Sequence, residues 1–281
     1  MRLPRALGAL WSGWVLGITG CVLQAILRNP LASSSTLGIS QGAAFGAAFA
    51  IVVLGAGNPG GGGPAFISGL AFAGGMGVSL LILALSRFVR ISPEAMILAG
   101  VAISAMFSGA TTLIQYFSND VQLTQLMFWT FGDLGRNGWL EVRILTCAAL
   151  ISSSLFFLNR WKYNVLESGE ESALSLGANV GRERLFSMLV CSLCAAIVVS
   201  FAGLINFIGL IAPHIVHRLI GNNHAWLLPG SAFMGAILML MGDMAARLVI
   251  APVILPIGAI TSFLGAPLFL YLLFRGVGTK R

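Results

Sequence analysis

Charged residues are scarce in this sequence: Lys, Arg, Asp and Glu account for 9% of its 281 residues, whereas hydrophobic residues account for 57%. So few charges cannot cover the surface of a soluble protein of this size. The composition therefore excludes a soluble globular protein. We predict an all-α, polytopic membrane protein, in which each spanning helix takes up about 20 apolar residues.

Acidic residues are fewer than basic ones, nine against sixteen, which leaves a net charge of +7. A positive charge can indicate a nucleic-acid partner. The basic residues are scattered singly or in pairs between apolar runs, however, and do not form one basic face. We therefore expect no nucleic-acid partner and interpret the basic residues as signals of membrane topology.

Apolar runs bounded by charge, Gly or Pro predict nine helices. The residues left over are too few for a separate soluble domain, so we expect 1–281 to form a single domain. The fourth helix has the clearest start, with Ser92 as N-cap, Pro93 in the first turn and Glu94 near the positive end of the helix dipole. The predicted helices cover 6–27, 38–56, 65–86, 93–117, 138–158, 183–203, 205–220, 226–249 and 257–275.

The distribution of Lys and Arg predicts the orientation. Eleven of the sixteen basic residues fall in loops on one side of the nine spans, which makes that side and the C-terminus cytoplasmic. The N-terminus would then lie outside, in conflict with its basic residues Arg2 and Arg5. A tenth helix before Met1 would remove this conflict.

Small residues recur at the spacing of close helix packing in lipid. Gly13 and Gly17 are four residues apart in the first helix, and Gly38, Gly42 and Gly46 follow the same spacing in the second. We expect a densely packed bundle with the first helix at its centre.

Motifs for metal and nucleotide chemistry are missing. The sequence has no G-x-x-x-x-G-K-[ST] loop, so we expect this chain not to bind ATP. His214 and His217 offer only two ligands, with no Cys or carboxylate close in sequence, where zinc needs three or four protein ligands. We expect no metal site and no cofactor, and we interpret the four cysteines as packing residues.

The longest hydrophilic stretch runs from 159 to 184, on the predicted cytoplasmic side. Within it, Glu167 to Gly177 predicts a short helix with acidic residues at its start and Gly at its end. Long loops with structure of their own are usually functional, which favours a partner-docking surface. The alternative is a solvated connector.

The break between the first two helices contains a polar group. Gln24 and Arg28 share a helix face near the cytoplasmic end. Arg28 either extends to the lipid headgroups or, with Gln24, Asn29 and Pro30, forms a structural joint between helix ends. Thr36 is the predicted N-cap of the second helix.

Asp243 and Arg247 are also four residues apart, on the eighth predicted helix. Pairing would lower the cost of an ionised group in the membrane, about 2.5 to 3.5 kcal/mol at the centre of a span. The pair is either a neutralised structural contact or a site where Arg247 binds a partner.

Four blocks of sequence together resemble the FecCD family, the iron-siderophore and cobalamin permeases of ABC importers. The resemblance extends from residue 2 to about 274. The blocks are Gly20-x-x-x-Gln24-x-x-x-Arg28-Asn29-Pro30-Leu31-Ala32 with Leu37-Gly38-x-Ser40-x-Gly42-Ala43; Gly169-Glu170-Glu171-x-Ala173-x-x-Leu176-Gly177; Phe207-Ile-Gly-Leu-Ile-Ala-Pro213-His214; and Pro256-Ile-Gly258-x-x-Thr261-x-x-x-Gly265-Ala266-Pro267.

The resemblance implies ten helices per subunit, a dimer of permease subunits in a bacterial or archaeal cytoplasmic (inner) membrane, two cytoplasmic ATPase subunits and a substrate-binding protein outside. ATP and magnesium would bind to the ATPases. The chain would thus be a permease domain and not an enzyme, with a coupling segment at 159–184 that docks on the ATPases. Homo- and heterodimers both remain open.

The resemblance also assigns roles to residues, in three groups. For ATPase coupling they are Glu170, Glu171, Ala173, Leu176, Gly177, Arg182 and Arg184. For contact with the binding protein they are Arg2, Arg5 and Arg247. For the translocation pathway, which the family forms from the helix at 93–117 and the segment after it, they are Ser104, Ser108, Thr111, Thr112 and Gln115.

Some positions depart from the family pattern, and they weaken the assignment of a cargo: Ser34, Asp133, Asn223, Ala225 and Ile254. Our leading hypothesis is the permease of an ATP-driven importer of an iron chelate, a siderophore, with haem and cobalamin as alternative cargoes. One rival is an ion-coupled secondary transporter that uses Asp243 and Arg247 as a relay. A second is a membrane-embedded enzyme that uses the histidines, and a third is a fragment that lacks the first helix of the family.

Overall fold

The computed structural model describes residues 2–58, 60–89, 92–175, 177 and 179–277, and its regular structure there is helical throughout. A π-helical turn (Phe49–Val53) extends α2, and a 3-10 turn (Leu134–Arg136) precedes α6. The α-helices are α1 (Arg2–Ile26), α2 (Ile39–Ala48), α3 (Gly63–Val89), α4 (Pro93–Tyr116), α5 (Asp120–Thr130), α6 (Trp139–Leu158), α7 (Arg160–Glu167), α8 (Glu170–Ser175), α9 (Val180–Ala202), α10 (Ile208–Ile220), α11 (His224–Leu248) and α12 (Ile257–Val277).

Six of the helices in the described ranges are long and apolar enough to cross a membrane: α1, α3, α4, α6, α9 and α11. Three shorter apolar segments, 39–53, 208–220 and 257–271, coincide with α2 and its π-helical turn, α10 and most of α12. The structure thus agrees with the predicted all-α, polytopic bundle. Nine spans, and a tenth before Met1, remain predictions.

Most predicted helices are present with ends displaced by a few residues. The helix predicted at 183–203 begins at Val180, because the Asn179 side chain accepts a hydrogen bond from the Arg182 backbone N–H and caps it. The predicted start of α4 is confirmed: Ser92 accepts from the Ala95 N–H, and Pro93 lies in the first turn. The short helix expected within 167–177 is present as α8, whereas α7, which precedes it, was not predicted.

Helix α5 was not predicted. Its sequence is too polar for an apolar run, yet it carries a capping box, in which Asn119 and Gln122 hydrogen-bond each other's backbone N–H. Such a pair three residues apart is a helix-start signal that sequence can reveal.

Helix α1 lies at the centre of the bundle, as predicted, and packs against α6, α9, α10 and α11. Its glycines allow the close approach: a Cβ at Gly13 would lie 2.3 Å from the Gly235 carbonyl oxygen, and one at Gly20 would lie 1.7 Å from that of Gly209. Gly42 and Gly46 bring α2 equally close to α3. The bundle is therefore held by backbone-to-backbone packing at its core.

Helices α1 and α11 are antiparallel, since Gly13 lies against Gly235 and Gly17 against Ser231. The start of α1 therefore meets the end of α11 at one end of the bundle. At the opposite end, the end of α1 and the start of α11 lie near α7. These two ends contain most of the candidate functional residues, whereas the predicted pathway residues lie along α4.

Candidate functional sites at the two ends of the bundle

The first site is a group of four charged residues, Arg5, Asp133, Asp243 and Arg247, which we call the arginine cluster. Arg5 Nε donates to Asp243 Oδ1 at 2.7 Å, and Arg247 Nη2 lies 2.9 Å from Asp243 Oδ2. The predicted pairing of Asp243 with Arg247 is confirmed. Sequence spacing did not reveal Arg5 as a second partner, because it lies 238 residues away.

Asp243 is almost entirely buried, with 2% of its side chain exposed. A buried carboxylate is costly unless it is ion-paired, and here each oxygen faces a guanidinium group. Asp133, 46% exposed, lies 3.8 Å from Arg5 and contributes a weaker contact. The cluster therefore fastens the start of α1 to the end of α11.

The exposed arginine of the cluster is Arg247. Its side chain is 41% exposed, against 12% for Arg5. Arg2 begins α1, and its side chain lies outside the described part of the structure. Contact of these three residues with a binding protein stays a prediction, and the geometry favours Arg247 as the point of contact.

Next to the arginine cluster, the 133–137 loop borders a cleft of about 850 Å³ between α3, α5, α6 and α9. Its walls are mainly apolar, with Arg136 at the rim. Arg136 donates to the Phe128 carbonyl oxygen, and burial lowers its pKa while nearby Asp133 acts in the opposite direction. The guanidinium thereby joins α5 to the loop before α6.

The second site is the coupling segment, residues 159–184, at the opposite end. Helix α7 is docked into the bundle: Tyr163 is fully buried, and its hydroxyl is 3.2 Å from Ser187 Oγ on α9. Burial raises the Tyr163 pKa. On the exposed side of α7, Lys162 Nζ lies 2.7 Å from Glu183 Oε1, near the start of α9. This part of the segment is thus fixed to α9.

The predicted coupling residues follow α7 on a more exposed part of the chain. Glu170 and Glu171 begin α8, with side chains outside the described part; Ala173 is buried; and Leu176 is outside the described residues. Gly177 is exposed and has φ +79°, a left-handed conformation that suits glycine.

Two arginines of the segment differ in their surroundings. Arg182 is exposed. Arg184 Nε donates to the Ile26 carbonyl oxygen at 3.1 Å and so caps the last turn of α1. The coupling segment is therefore bonded directly to the central helix.

The α1–α2 connection lies beside the coupling segment. Gln24 Nε2 donates to the Leu210 carbonyl oxygen of α10 at 3.3 Å, and Asn29 Oδ1 accepts from the Leu31 N–H at 2.8 Å. Arg28 and Pro30 are exposed, and Arg28 has φ +48°. These contacts support a structural joint.

The predicted N-cap of α2 was wrong. Gly38, in a left-handed conformation, precedes the helix without a side-chain cap. Thr36 Oγ1 instead accepts from the Ser33 N–H and donates to the Ser33 carbonyl oxygen, which closes a turn two residues earlier. A glycine start permits the close contact of Gly38 with Gly100 and Ser104 on α4.

The predicted pathway residues lie along one face of α4, a helix that is mostly exposed in the single chain. Thr111 is buried, Ser104 and Gln115 are half-buried, and Ser108 and Thr112 are exposed. Ser104 and Thr112 both donate to carbonyl oxygens four residues earlier in the helix. The face is therefore polar without any ionised group, and a pathway along it stays a prediction.

The three histidines are near one another at the coupling-segment end, around a cavity of about 320 Å³. His224 hydrogen-bonds Asn164, and His214 Nε2 is buried without a hydrogen-bond partner among the described residues. Glu167 also borders this cavity; burial raises its pKa, while His217 and a hydrogen bond from Asn222 lower it. Asn164 and Glu167 are not recognisable from sequence as neighbours of His224, because both lie far from it along the chain.

Comparisons with known proteins agree in pointing to one family. The model of the FecCD transport family matches residues 1–275. A protein of Methanocaldococcus jannaschii described as an ABC transporter permease is 50% identical, over 98% of this chain and 80% of its own length. The hemin transport permease HmuU of Yersinia pestis is 38% identical, and the vitamin B12 import permease BtuC of Citrobacter koseri is 39% identical; each comparison covers 98% of this chain and 82% of the relative.

A solved structure also matches. It is described as an inward-facing conformation of a metal-chelate type ABC transporter, and it superposes with a TM-score of 0.87 at 32% identity. The match covers 97% of this chain and 87% of that one.

Proposed function

This chain belongs to the FecCD transport family of ABC importer permeases, and we propose that the cargo it carries across the membrane is an iron–siderophore chelate. The family match over residues 1–275 is the observation that carries this proposal. The structural neighbour, described as a metal-chelate type transporter, agrees with a cargo that contains a chelated metal. The hemin and vitamin B12 permeases among the relatives make haem and cobalamin the alternatives.

The proposed mechanism is alternating access, driven by separate ATPase subunits that bind ATP and magnesium at the cytoplasmic side. This chain would bind neither and would receive the displacement of the ATPases through its coupling segment. Hydrogen bonds from that segment to α1, through Arg184, and to Ser187 of α9, through Tyr163, support this role. The C-terminus would also lie in the cytoplasm.

Two further partners belong to the proposal. A second permease subunit, the same chain or a related one, would pack against α4 and α12, whose large apolar side chains Leu113 and Phe263 are strongly exposed. A substrate-binding protein would dock at the arginine cluster and supply the recognition of cargo. The pathway between the two α4 helices would then bind cargo only weakly.

Reconstitution in proteoliposomes tests this function. We expect the complex with ATPase and binding protein to take up radiolabelled ferric hydroxamate in the presence of ATP, with and without an uncoupler. Preference for haemin or cyanocobalamin would contradict the iron-chelate assignment alone. Uptake driven by an ion gradient without the ATPase would contradict the ABC mechanism.

The rival ion-coupled transporter would use Asp243 and Arg247 as a relay. The geometry supports a fixed contact better, because Arg5 and Arg247 occupy both oxygens of the buried Asp243 carboxylate. A relay needs a carboxylate that exchanges partners during the cycle.

A further inference from the structure

Helix α7 contacts His224, in the first turn of α11, through Tyr163, Asn164 and Glu167, and of these Asn164 makes the hydrogen bonds. Its Oδ1 accepts two hydrogen bonds from His224, from the backbone N–H at 2.9 Å and from Nδ1 at 2.8 Å. The ring of the buried Tyr163 packs beside the His224 ring, with centroids 5.9 Å apart. Asn164 therefore helps to cap α11 from a different helix.

The same helix leads directly to the coupling residues. Only Ser168 and Gly169 separate the end of α7 from the start of α8. Glu167, the last residue of α7, adds a second contact, since its Oε1 accepts from Asn222 Nδ2 at 3.3 Å. A displacement of α8 should consequently move α7 and, through the hydrogen bonds of Asn164 and Glu167, the start of α11.

Helix α11 reaches from this joint to the arginine cluster. It has 25 residues and is therefore about 37 Å long. Along its length, α11 packs tightly against α1: Ser231 lies against Gly17, and Gly235 lies against Gly13. Neither Gly17 nor Gly13 has space for a side chain. Because closely packed helices transmit a displacement better than they absorb it, a shift of His224 should move the far end of α11.

We propose that Asn164 is a positioning residue of the transport cycle: its two hydrogen bonds to His224 pass movement of the coupling segment to α11, and thereby to Arg247. This inference rests on the proposed function, because it needs ATPases at α8 and a binding protein at the arginine cluster. Coupling of this kind is reciprocal, so docking of the binding protein at Arg247 also acts on the ATPases.

The test compares three variants in the complete complex in proteoliposomes. Asn164→Leu keeps the size of the side chain but removes the accepting oxygen, whereas Asn164→Asp keeps an accepting oxygen. Ser153→Ala is the matched control, because it removes a 2.8 Å hydrogen bond between two other helices, donated by Trp14 Nε1. The readouts are ATP hydrolysis with and without binding protein, and the number of ATP molecules consumed per cargo.

A distance measured between α11 and α6 reports directly on movement of α11. A variant that is only less stable should keep the ATP-dependent change in this distance. Spin labels at Met244→Cys on α11 and Leu140→Cys on α6 use two exposed positions. Cys147→Ser first removes an exposed native thiol; Cys21, Cys191 and Cys194 are buried. The distance between the labels is measured with and without ATP.

We expect Asn164→Leu to hydrolyse ATP but to consume at least about fivefold more ATP per cargo molecule than wild type. A factor of about five is the lower end of the range typical of coupling between distant sites. It should also lose the ATP-dependent change in label distance and the stimulation by binding protein. Asn164→Asp should restore all three, and Ser153→Ala should behave as wild type. If Asn164→Leu folds poorly, Asn164→Ala replaces it in the test, because it also removes the accepting oxygen but adds no branched apolar side chain. The same three losses are expected.

Three results would overturn the inference: wild-type coupling in Asn164→Leu or Asn164→Ala, failure of Asn164→Asp to restore it, or equal loss in Ser153→Ala. The first two would show that α11 does not depend on the accepting oxygen of Asn164, and the third would show that loss of any hydrogen bond between helices has the same effect. A wild-type complex that moves none of the three probe cargoes with ATP would instead contradict the proposed function.

Discussion

At the scale of single residues, the few charges of this protein fasten helix ends to one another. Arg184 bonds the last turn of α1 from α9, and Arg5 and Arg247 hold Asp243 at the opposite end. In a membrane protein an unpaired ionised group is costly, so each of these contacts has to be satisfied within the fold. Removing one residue of a buried ion pair should therefore lower the free energy of unfolding by more than the intact pair contributes to it, because the other charge is left buried and unpaired.

Asp243 offers a direct test of that expectation. Asp243→Asn should destabilise the protein by about 3 to 5 kcal/mol, because it leaves the nearly buried Arg5 without its main counter-charge. Asp133→Asn, at a 46% exposed position 3.8 Å from the same arginine, should cost at most about 1 kcal/mol. Thermal unfolding of both variants in detergent measures the difference. Equal losses would show that the buried pair is not what holds α1 to α11.

At the scale of helices, glycine decides which elements approach most closely. Gly20 of α1 meets the backbone of α10 at Gly209, whereas Gly77 of α3 has open space where a Cβ would lie. The two residues have the same helical context but opposite surroundings. Replacing each glycine by alanine therefore separates the effect of close helix packing on stability from the effect of helix propensity.

Gly20→Ala should lower the midpoint of thermal unfolding sharply, since the new Cβ would lie 1.7 Å from the Gly209 carbonyl oxygen and the helices must separate. Gly77→Ala should be neutral or stabilise by up to about 1 kcal/mol, because alanine is the better helix former. Unfolding curves recorded on both variants give the comparison. A tolerant Gly20→Ala would mean that α1 and α10 are not in backbone contact at this position.

The coupling segment provides a prediction that depends on backbone conformation. Gly177 has φ +79°, and among the described residues no atom lies within 4 Å of the place where a Cβ would stand, so a substitution there is strained by its backbone conformation. Gly177→Leu should cost about 1 to 2 kcal/mol of local strain and impair ATP-driven uptake while membrane insertion continues. Gly177→Asn, which tolerates this conformation, should retain more uptake. Uptake of Gly177→Leu equal to wild type would count against docking at this turn.

At the scale of the whole molecule, the antiparallel pair α1 and α11 links the two candidate docking ends. Each helix contributes to the arginine cluster at one end and is bonded to the coupling segment at the other. A binding protein outside and an ATPase inside would thus contact one connected unit.

Arg247 should govern the approach of the binding protein. Arg247→Gln should slow association and make it less sensitive to salt, because charges at the rim of an interface act mainly on the association rate. Arg143→Gln is the control, an exposed arginine on α6 that bonds the Trp139 carbonyl oxygen. Surface plasmon resonance at low and high salt measures both rates. If the two variants behave alike, the arginine cluster is not the docking site.

The sequence by itself determined the membrane class, the positions of most helices and the family, because long apolar runs and short motifs are local properties of the chain. It also revealed the Asp243–Arg247 pair, whose spacing is one helical turn. Helix α5 escaped prediction because its residues are polar, although its capping box was readable. The contacts of Arg5 with Asp243 and of Asn164 with His224 could not be recognised from sequence, because the partners lie 238 and 60 residues apart. Only the tertiary structure, by packing α1 antiparallel to α11 and α7 against the start of α11, brought these residues together.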